Sequence, residues 1–219
     1  MKLDNVTIVA VDTITAEQSL KAIRYSCREI EFGAKKLITS QDIQADDVEI
    51  IKCEPINYQQ FSHFCVYRLH EYIDTEFALL VQPDGYIVNP SMWTDEFLQY
   101  DYIGAIFPLP QDDFSFRDED GVIQRMGNGG FTLRSKKLLS LAKELDLEWR
   151  SYHGFYNEDG FYCVYHRKTY EQHGCKYAPL DIAARFSHEC YVSENEGIIP
   201  FGFHGKNNLY YALTQKSLQ

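Results

Sequence analysis

Residues 77–90 read FALLVQPDGYIVNP, from Phe77 to Pro90. Phe77 to Val81 is an apolar run of strand length, and Tyr86-Ile87-Val88 is a second, shorter one. Between them stands Gln82-Pro83-Asp84-Gly85. Proline presets a turn-compatible φ, and Asp and Gly favour reversals, so one reading is a plain turn. The other places Asp84 at the carboxyl end of a buried strand, where open α/β sheets form their ligand crevices. The tetrapeptide alone supports both, and the surrounding chain must decide.

Toward the N-terminus, Val6 to Val11 is a β-rich run ending in Asp12-Thr13. Ala16 to Ile30 has helical spacing, with Leu20, Ile23 and Cys27 on one face and Thr15 placed to cap it. Lys36 to Ile38 and Val48 to Ile51 read as strands, and Phe61 to Ile73 as a helix. The first 90 residues thus alternate β-α-β-β-α-β, which predicts a mostly parallel sheet with helices on its faces. Beyond them come a short helix (Thr94 to Gln99) and a strand (Tyr102 to Ile106). Gln111 to Gly121, QDDFSFRDEDG, reads as an acidic, mobile surface loop. Phe131 to Leu133 reads as a strand, Ser135 to Leu145 as a helix capped by Ser135, and Asp159 to Tyr170 as a further helix. Ala183 to Glu189 and Ile198 to His204 close the fold. Residues 1–219 show no internal repeat and no linker, so the expectation is a single α/β domain.

Hydrophobic residues make up 45% of the 219 residues and charged residues 24%, as in ordinary globular proteins. A net charge of −11 argues against a broad nucleic-acid surface. A small anionic ligand then needs local donors or a metal. The 16 Tyr and 14 Phe suit aromatic core filling, and also sites for sugars and nucleobases. Cys27, Cys53, Cys65, Cys163, Cys175 and Cys190 form no CxxC pair and read as reduced core thiols. MKLDNVTIVAVDT has no apolar signal region, and no stretch approaches the ~20 residues of a membrane helix. The chain is therefore read as cytoplasmic, with peripheral attachment to a membrane left open.

Four constellations could carry chemistry. Asp84 suits a hard divalent cation that completes its shell with phosphate oxygens. Gly127-Asn128-Gly129-Gly130 lets backbone approach a ligand, and the Asn amide suits sugar hydroxyls; no GK[ST] follows, so it is not a phosphate loop of that type. Asn157-Glu158-Asp159 places acids at a helix start, either as dipole partners or as a general base. His204, between glycines in PFGFHG, is better placed as a ligand at a strand end than as a core residue. His188 is ambiguous, and His63, His70, His153, His166 and His173 are read as structural or surface. Arg134, Lys136 and Lys137 follow the glycine loop, and their default reading is a solvated face.

Taken in order, TEFALLVQPDGYIVNPSMW, YDYIGA, GNGGFTLRS, NEDGFYC and AARFSHE…PFGFHG resemble a family of glycosyltransferase-like proteins. That family has been catalogued as a domain of unknown function and grouped with GT-A-type nucleotide-sugar transferases. The resemblance spans Val6 to Gly205. It implies a GT-A fold, with residues 1–90 as a nucleotide-binding half, 91–205 as an acceptor-binding half and 206–219 as a tail. It implies that Asp84 matches the last acid of the Asp-x-Asp motif, with Gln82 in place of the first, and that His204 matches the C-terminal metal-site histidine. Mn²⁺ or Mg²⁺ would then bridge the donor's diphosphate. It further implies Asp159 as catalytic base, Glu158 as its orienting partner, Asn128, Gly129 and Gly130 around the sugar, and Val11, Asp12 and Thr13 at the nucleobase. The implied activity is transfer from a nucleotide-sugar donor to a hydroxyl of a glycan or polysaccharide precursor, with inversion. A sugar nucleotidyltransferase and a non-catalytic nucleotide- or sugar-binding module are the alternatives. The oligomeric state is not readable.

Overall fold

The computed structural model describes residues 1–150 and 157–214, so His153 lies outside the described residues. A six-stranded sheet forms the spine. Its strands are β1 (Lys2–Val11), β2 (Glu31–Thr39), β3 (Glu49–Lys52), β4 (Phe77–Leu80), β6 (Tyr102–Ile103) and β7 (Thr132–Ser135), in the order β3-β2-β1-β4-β7-β6. β1 runs parallel to β2 and β4, and β2 parallel to β3. β7 pairs antiparallel with β4 and β6. A small second sheet sets β5 (Gly85–Ile87) beside β9 (Gly202–His204) and β8 (Ser187–His188).

The parallel centre explains the sequence of β1. Val6, Ile8, Val9 and Ala10 are all fully buried, because helices cover both faces of such a sheet and its strands read as continuous apolar runs. Those helices are α1 (Ala16–Ser26), α2 (Tyr58–Tyr67) and α3 (Lys136–Glu144). Asn57 and Gln60 form a reciprocal capping box at the start of α2, and the Ser135 hydroxyl accepts from the Leu138 N–H at 3.0 Å to cap α3. The second half adds α4 (Glu158–Gly160), α5 (Arg167–Gln172), α6 (Leu180–Phe186) and α7 (Leu209–Thr214).

Several boundaries differ from the sequence expectation. α1 ends at Ser26, not Ile30, and its partner strand β2 begins at Glu31. The helix expected over Phe61–Ile73 starts at Tyr58, where Asn57 caps it, and breaks at Arg68. The single helix expected over Asp159–Tyr170 is three pieces: α4, a wider π-type turn over Phe161–Tyr165, and α5. Such π segments recur at functional sites.

Gln111–Gly121 is more than an open surface loop. Residues 116–124 close a small hairpin, with the Gln124 N–H bonded to Phe116 O at 2.7 Å and the Asp118 N–H to Val122 O at 3.0 Å, and residues 108–115 loop out before it, beyond the Phe107 N–H bond to Arg125 O at 2.7 Å. Its acids hold it. Asp112 accepts from the Phe114 and Ser115 amides, and Asp118 from those of Asp120 and Val122. Local side-chain-to-backbone bonds of this kind make an acidic run a turn. The six cysteines are unpaired, with Cys65, Cys163 and Cys175 buried. Among the described residues no helix is long and apolar enough to cross a membrane.

Candidate functional site

The interrupted segment that opened the sequence reading is both a turn and a strand end. Gln82 and Gly85 exchange two backbone hydrogen bonds, of 2.8 and 3.0 Å, closing a reversal around Pro83-Asp84. The reversal starts β5, which pairs with β9 so that Gly85 faces His204. The pairing joins residues more than a hundred positions apart. His204 Nε2 lies 3.2 Å from Gln82 Oε1 and 3.8 Å from Asp84 Oδ1. On its other side, Nδ1 lies 2.9 Å from Glu189 Oε1. Burial alone would lower the pKa of His204, but the hydrogen bond and charge of Glu189, with the charge of Asp84, outweigh it and raise the pKa.

The glycine loop before β7 lies against this group. A Cβ on Gly130 would stand 2.1 Å from both Cδ2 and Nε2 of His204, so no other residue fits there without displacing the imidazole. A Cβ on Gly129 would stand 2.3 Å from Glu158 Oε1. Two adjacent glycines thus let one loop touch both acidic groups, Asp84 with His204 on one side and Glu158 with Asp159 on the other.

Asp159 accepts from the Gly160 N–H at 2.7 Å and from the Gly129 N–H at 3.3 Å. Burial, and then the neighbouring Glu158 carboxylate, push its pKa up to about 7 from 3.8, against the pull of those bonds and of Arg134. A carboxyl tuned toward neutrality can take a proton at working pH. Glu158 is buried and faces the fully buried Arg134, whose Nη2 donates to Oε1 at 3.3 Å and to Gly129 O at 3.4 Å. The Ser62 hydroxyl donates to Glu158 Oε2 at 3.1 Å. The Arg134 guanidinium also lies 5.2 Å from the Tyr162 ring and 5.4 Å from that of Tyr102. Arg134 therefore does not face solvent. Lys137 does, and it donates to Gly174 O at 2.6 Å.

At the carboxyl ends of β1 and β4, Val11, Asp12, Thr13, Ile56, Asn57, Tyr58 and Gln82 border a cavity of about 270 Å³. The Asp12 carboxylate is taken up by its own loop. It accepts from the Ile14 and Thr15 amides at 2.8 Å and from the Thr15 and Ser19 hydroxyls at 2.7 Å. Burial acts to raise its pKa, and these four bonds together lower it. Asp12 thus shapes this wall and starts α1. The Tyr58 hydroxyl donates to Asn157 Oδ1 at 3.1 Å, linking the cavity to the acidic pair. Asn128 uses its own Oδ1 to accept from the Gly130 N–H at 3.1 Å and fix the loop.

His188 points its Nε2 at Ala184 O, 2.9 Å away, as a structural donor. Sequence alone put Arg134 on a solvated face and did not single out Ser62, Glu189 or Tyr58. Their only signal is proximity in space, because each meets a partner 15 to 99 positions distant.

Among the described residues no group of three or more His, Cys, Asp and Glu side chains is arranged to hold a metal ion. What the site offers is a smaller donor set: Asp84, His204 Nε2 and the Gln82 carbonyl. With Nδ1 engaged by Glu189, Nε2 is the ring nitrogen turned toward the other two, as in carboxylate–histidine–metal arrangements. Two cation ligands with bonds of about 2.1 Å can stand up to about 4 Å apart, so the observed spacings suit a cation that takes its remaining ligands from a substrate.

Residues 56–204 match the family described as protein of unknown function (DUF5672). A glycosyltransferase involved in the glycosylation of the major capsid of PBCV-1 superposes with a TM-score of 0.53 at 13% identity, covering 97% of this chain and 98% of that one. An active-site mutant of LgtC superposes with a TM-score of 0.52 at 14% identity, covering 92% and 88%. These likenesses show a glycosyltransferase fold of the GT-A kind. No curated protein matches the sequence.

Proposed function

The chain belongs to the DUF5672 family of proteins of unknown function, and from that premise we propose that it is a nucleotide-sugar-dependent glycosyltransferase. It transfers a sugar, with inversion, to a hydroxyl of a glycan or polysaccharide precursor. The observation that carries this reading is the placement of Asp159. Its carboxyl is raised toward neutrality and tied through the Gly129-Gly130 loop to the Asp84–His204–Gln82 group.

In this reading the nucleotide occupies the cavity beside Val11, Asp12 and Thr13, which leads directly to Gln82. Asp84 and His204 would hold Mn²⁺ or Mg²⁺, with Gln82 replacing the first acid of the usual motif. A bound cation would offset charge on the departing diphosphate. Glu189 fixes the imidazole tautomer and ring plane. Asn128, Gly129 and Gly130 line the transferred sugar. Asp159 takes the proton from the acceptor hydroxyl as its oxygen bonds to the anomeric carbon and the carbon–phosphate-oxygen bond breaks. Glu158, held by Arg134 and Ser62, keeps Asp159 charge-coupled and in place.

The Glu158–Asp159 pair, joined through Gly129 and Gly130 to the Asp84–His204 group, favours this over a binding module. Incubating the protein and Mn²⁺ with a panel of nucleoside-diphosphate sugars and glycan acceptors tests it. A donor should release its diphosphate and glycosylate an acceptor, and Asp159→Asn should lower that rate by about 10²- to 10⁴-fold. An unchanged rate in that variant rules out Asp159 as the base.

A further inference from the structure

A second cavity, of about 170 Å³, opens on the other side of Asp159. It is bordered by Phe107, Phe114, Phe116, Val164 and Tyr165, with Asn157 and Asp159 as its polar end. We propose that this cavity is the acceptor subsite and that it takes a single uncharged pyranose ring; this rests on the glycosyltransferase reading above.

The walls specify the chemistry. The aromatic lining suits the C–H face of a sugar, while Asp159 and Asn157 supply acceptors for its hydroxyls. Phe116 stacks on the buried Phe107, with centroids 4.3 Å apart and planes 11° apart, and the stack backs one wall of the cavity. The volume falls below the ~300 Å³ at which pockets for drug-sized ligands begin, so one ring fits and an oligosaccharide must extend outward. The site carries acidic charge: Asp159 stands at its polar end, and the Asp112 carboxylate accepts from the amides of Phe114 and Ser115, two of the lining residues. Carboxylates so placed disfavour uronic acids and sugar phosphates.

The backbone makes an independent case. Phe116 sits at φ 56°, in the left-handed region that a bulky side chain rarely adopts. The hairpin enforces it through the Gln124 N–H bond to Phe116 O, the Asp112 and Asp118 turns, and the Arg125–Glu194 ion pair at its base. Glycine would occupy this backbone at no steric cost. The Phe116 ring, which stacks on Phe107 and borders the cavity, is what the strain sets in place, and strained residues gather at ligand clamps.

The test is ligand-observed NMR titration of the full chain. The probes are the methyl glycosides of glucose, galactose and mannose, with methyl glucuronide as the anionic comparison. At least one neutral glycoside should bind, and the glucuronide should bind about tenfold more weakly or not at all. Phe116→Gly removes the ring while relaxing the backbone. Relief of the backbone strain offsets part of the lost stack on Phe107, so the variant should stay folded, as a cooperative melt will show, and weaken glycoside binding by about tenfold. Equal glucuronide binding, or unchanged binding in Phe116→Gly, overturns the proposal, as does the absence of any glycoside binding with a nucleoside diphosphate present. Nucleoside diphosphates are titrated in parallel. If they fail to bind while the glycoside effects hold, the transferase reading falls and the sugar subsite stands. If they bind and the glycoside effects fail, the subsite alone is wrong.

Discussion

Replacing Asp159 by Asn separates the site's chemistry from its cost to the fold. The carboxyl is held at about 7 in the folded chain against 3.8 when exposed. An acid whose pKa is raised by folding binds its proton more tightly in the folded state. Its penalty is absent below the unfolded value, grows as pH rises, and is complete above about pH 7. Three pKa units correspond to about 4 kcal/mol at the limit. Asp159 faces a cavity, where water screens part of that cost, and Asn keeps only one of the two amide bonds, a loss of about 1 kcal/mol. The net expectation is that Asp159→Asn is more stable than the native chain by about 1–2 kcal/mol at pH 8, roughly 3–6 °C in a domain of this size. At pH 4 the gain vanishes or turns into a small loss. Thermal melts of both proteins across pH 4 to 8 read this directly. A Tm difference that stays constant with pH, or a variant that is less stable at pH 8, refutes the burial argument for Asp159.

Gly130→Ala places a methyl where the His204 ring lies; it should cost about 1–3 kcal/mol by overpacking and abolish cation-dependent binding, both visible in melts with and without Mn²⁺. Glu158→Ala leaves the buried Arg134 charge alone and should cost about 3–5 kcal/mol in chemical denaturation. The paired change Arg134→Met with Glu158→Gln should recover much of that stability while leaving transfer impaired. His204 has its pKa raised by folding, so it stabilises below its unfolded value and loses that contribution as pH rises. Glu189→Gln should therefore narrow the Tm difference between pH 5 and pH 8 that remains in an Asp159→Asn background.

The central strands were legible because their chemistry is local. Val6 to Val11, broken only by Thr7, and Phe77 to Val81 are apolar runs, and Ser135 and the leucines after it spell a capped helix. The small second sheet was not, because β5, β8 and β9 are two or three residues long and show no periodicity. The acidic hairpin misled for a related reason. Asp112 and Asp118 look like solvated charge until their amide donors are seen. In the site, Asp84, Asp159 and His204 stood out as acids and a histidine beside turn residues. Arg134 did not, since an arginine after a glycine loop usually faces water, and only its burial under Tyr102 and Tyr162 shows otherwise. Glu189 and Ser62 are ordinary residues made informative by distant partners.

The most direct test of the central claim is calorimetric titration of the native chain with UDP, GDP, CDP and TDP, with and without Mn²⁺, repeated on His204→Ala. The account predicts that at least one diphosphate binds, that Mn²⁺ strengthens it, and that His204→Ala removes the Mn²⁺ effect. Failure of every diphosphate to bind in the presence of Mn²⁺ would contradict it.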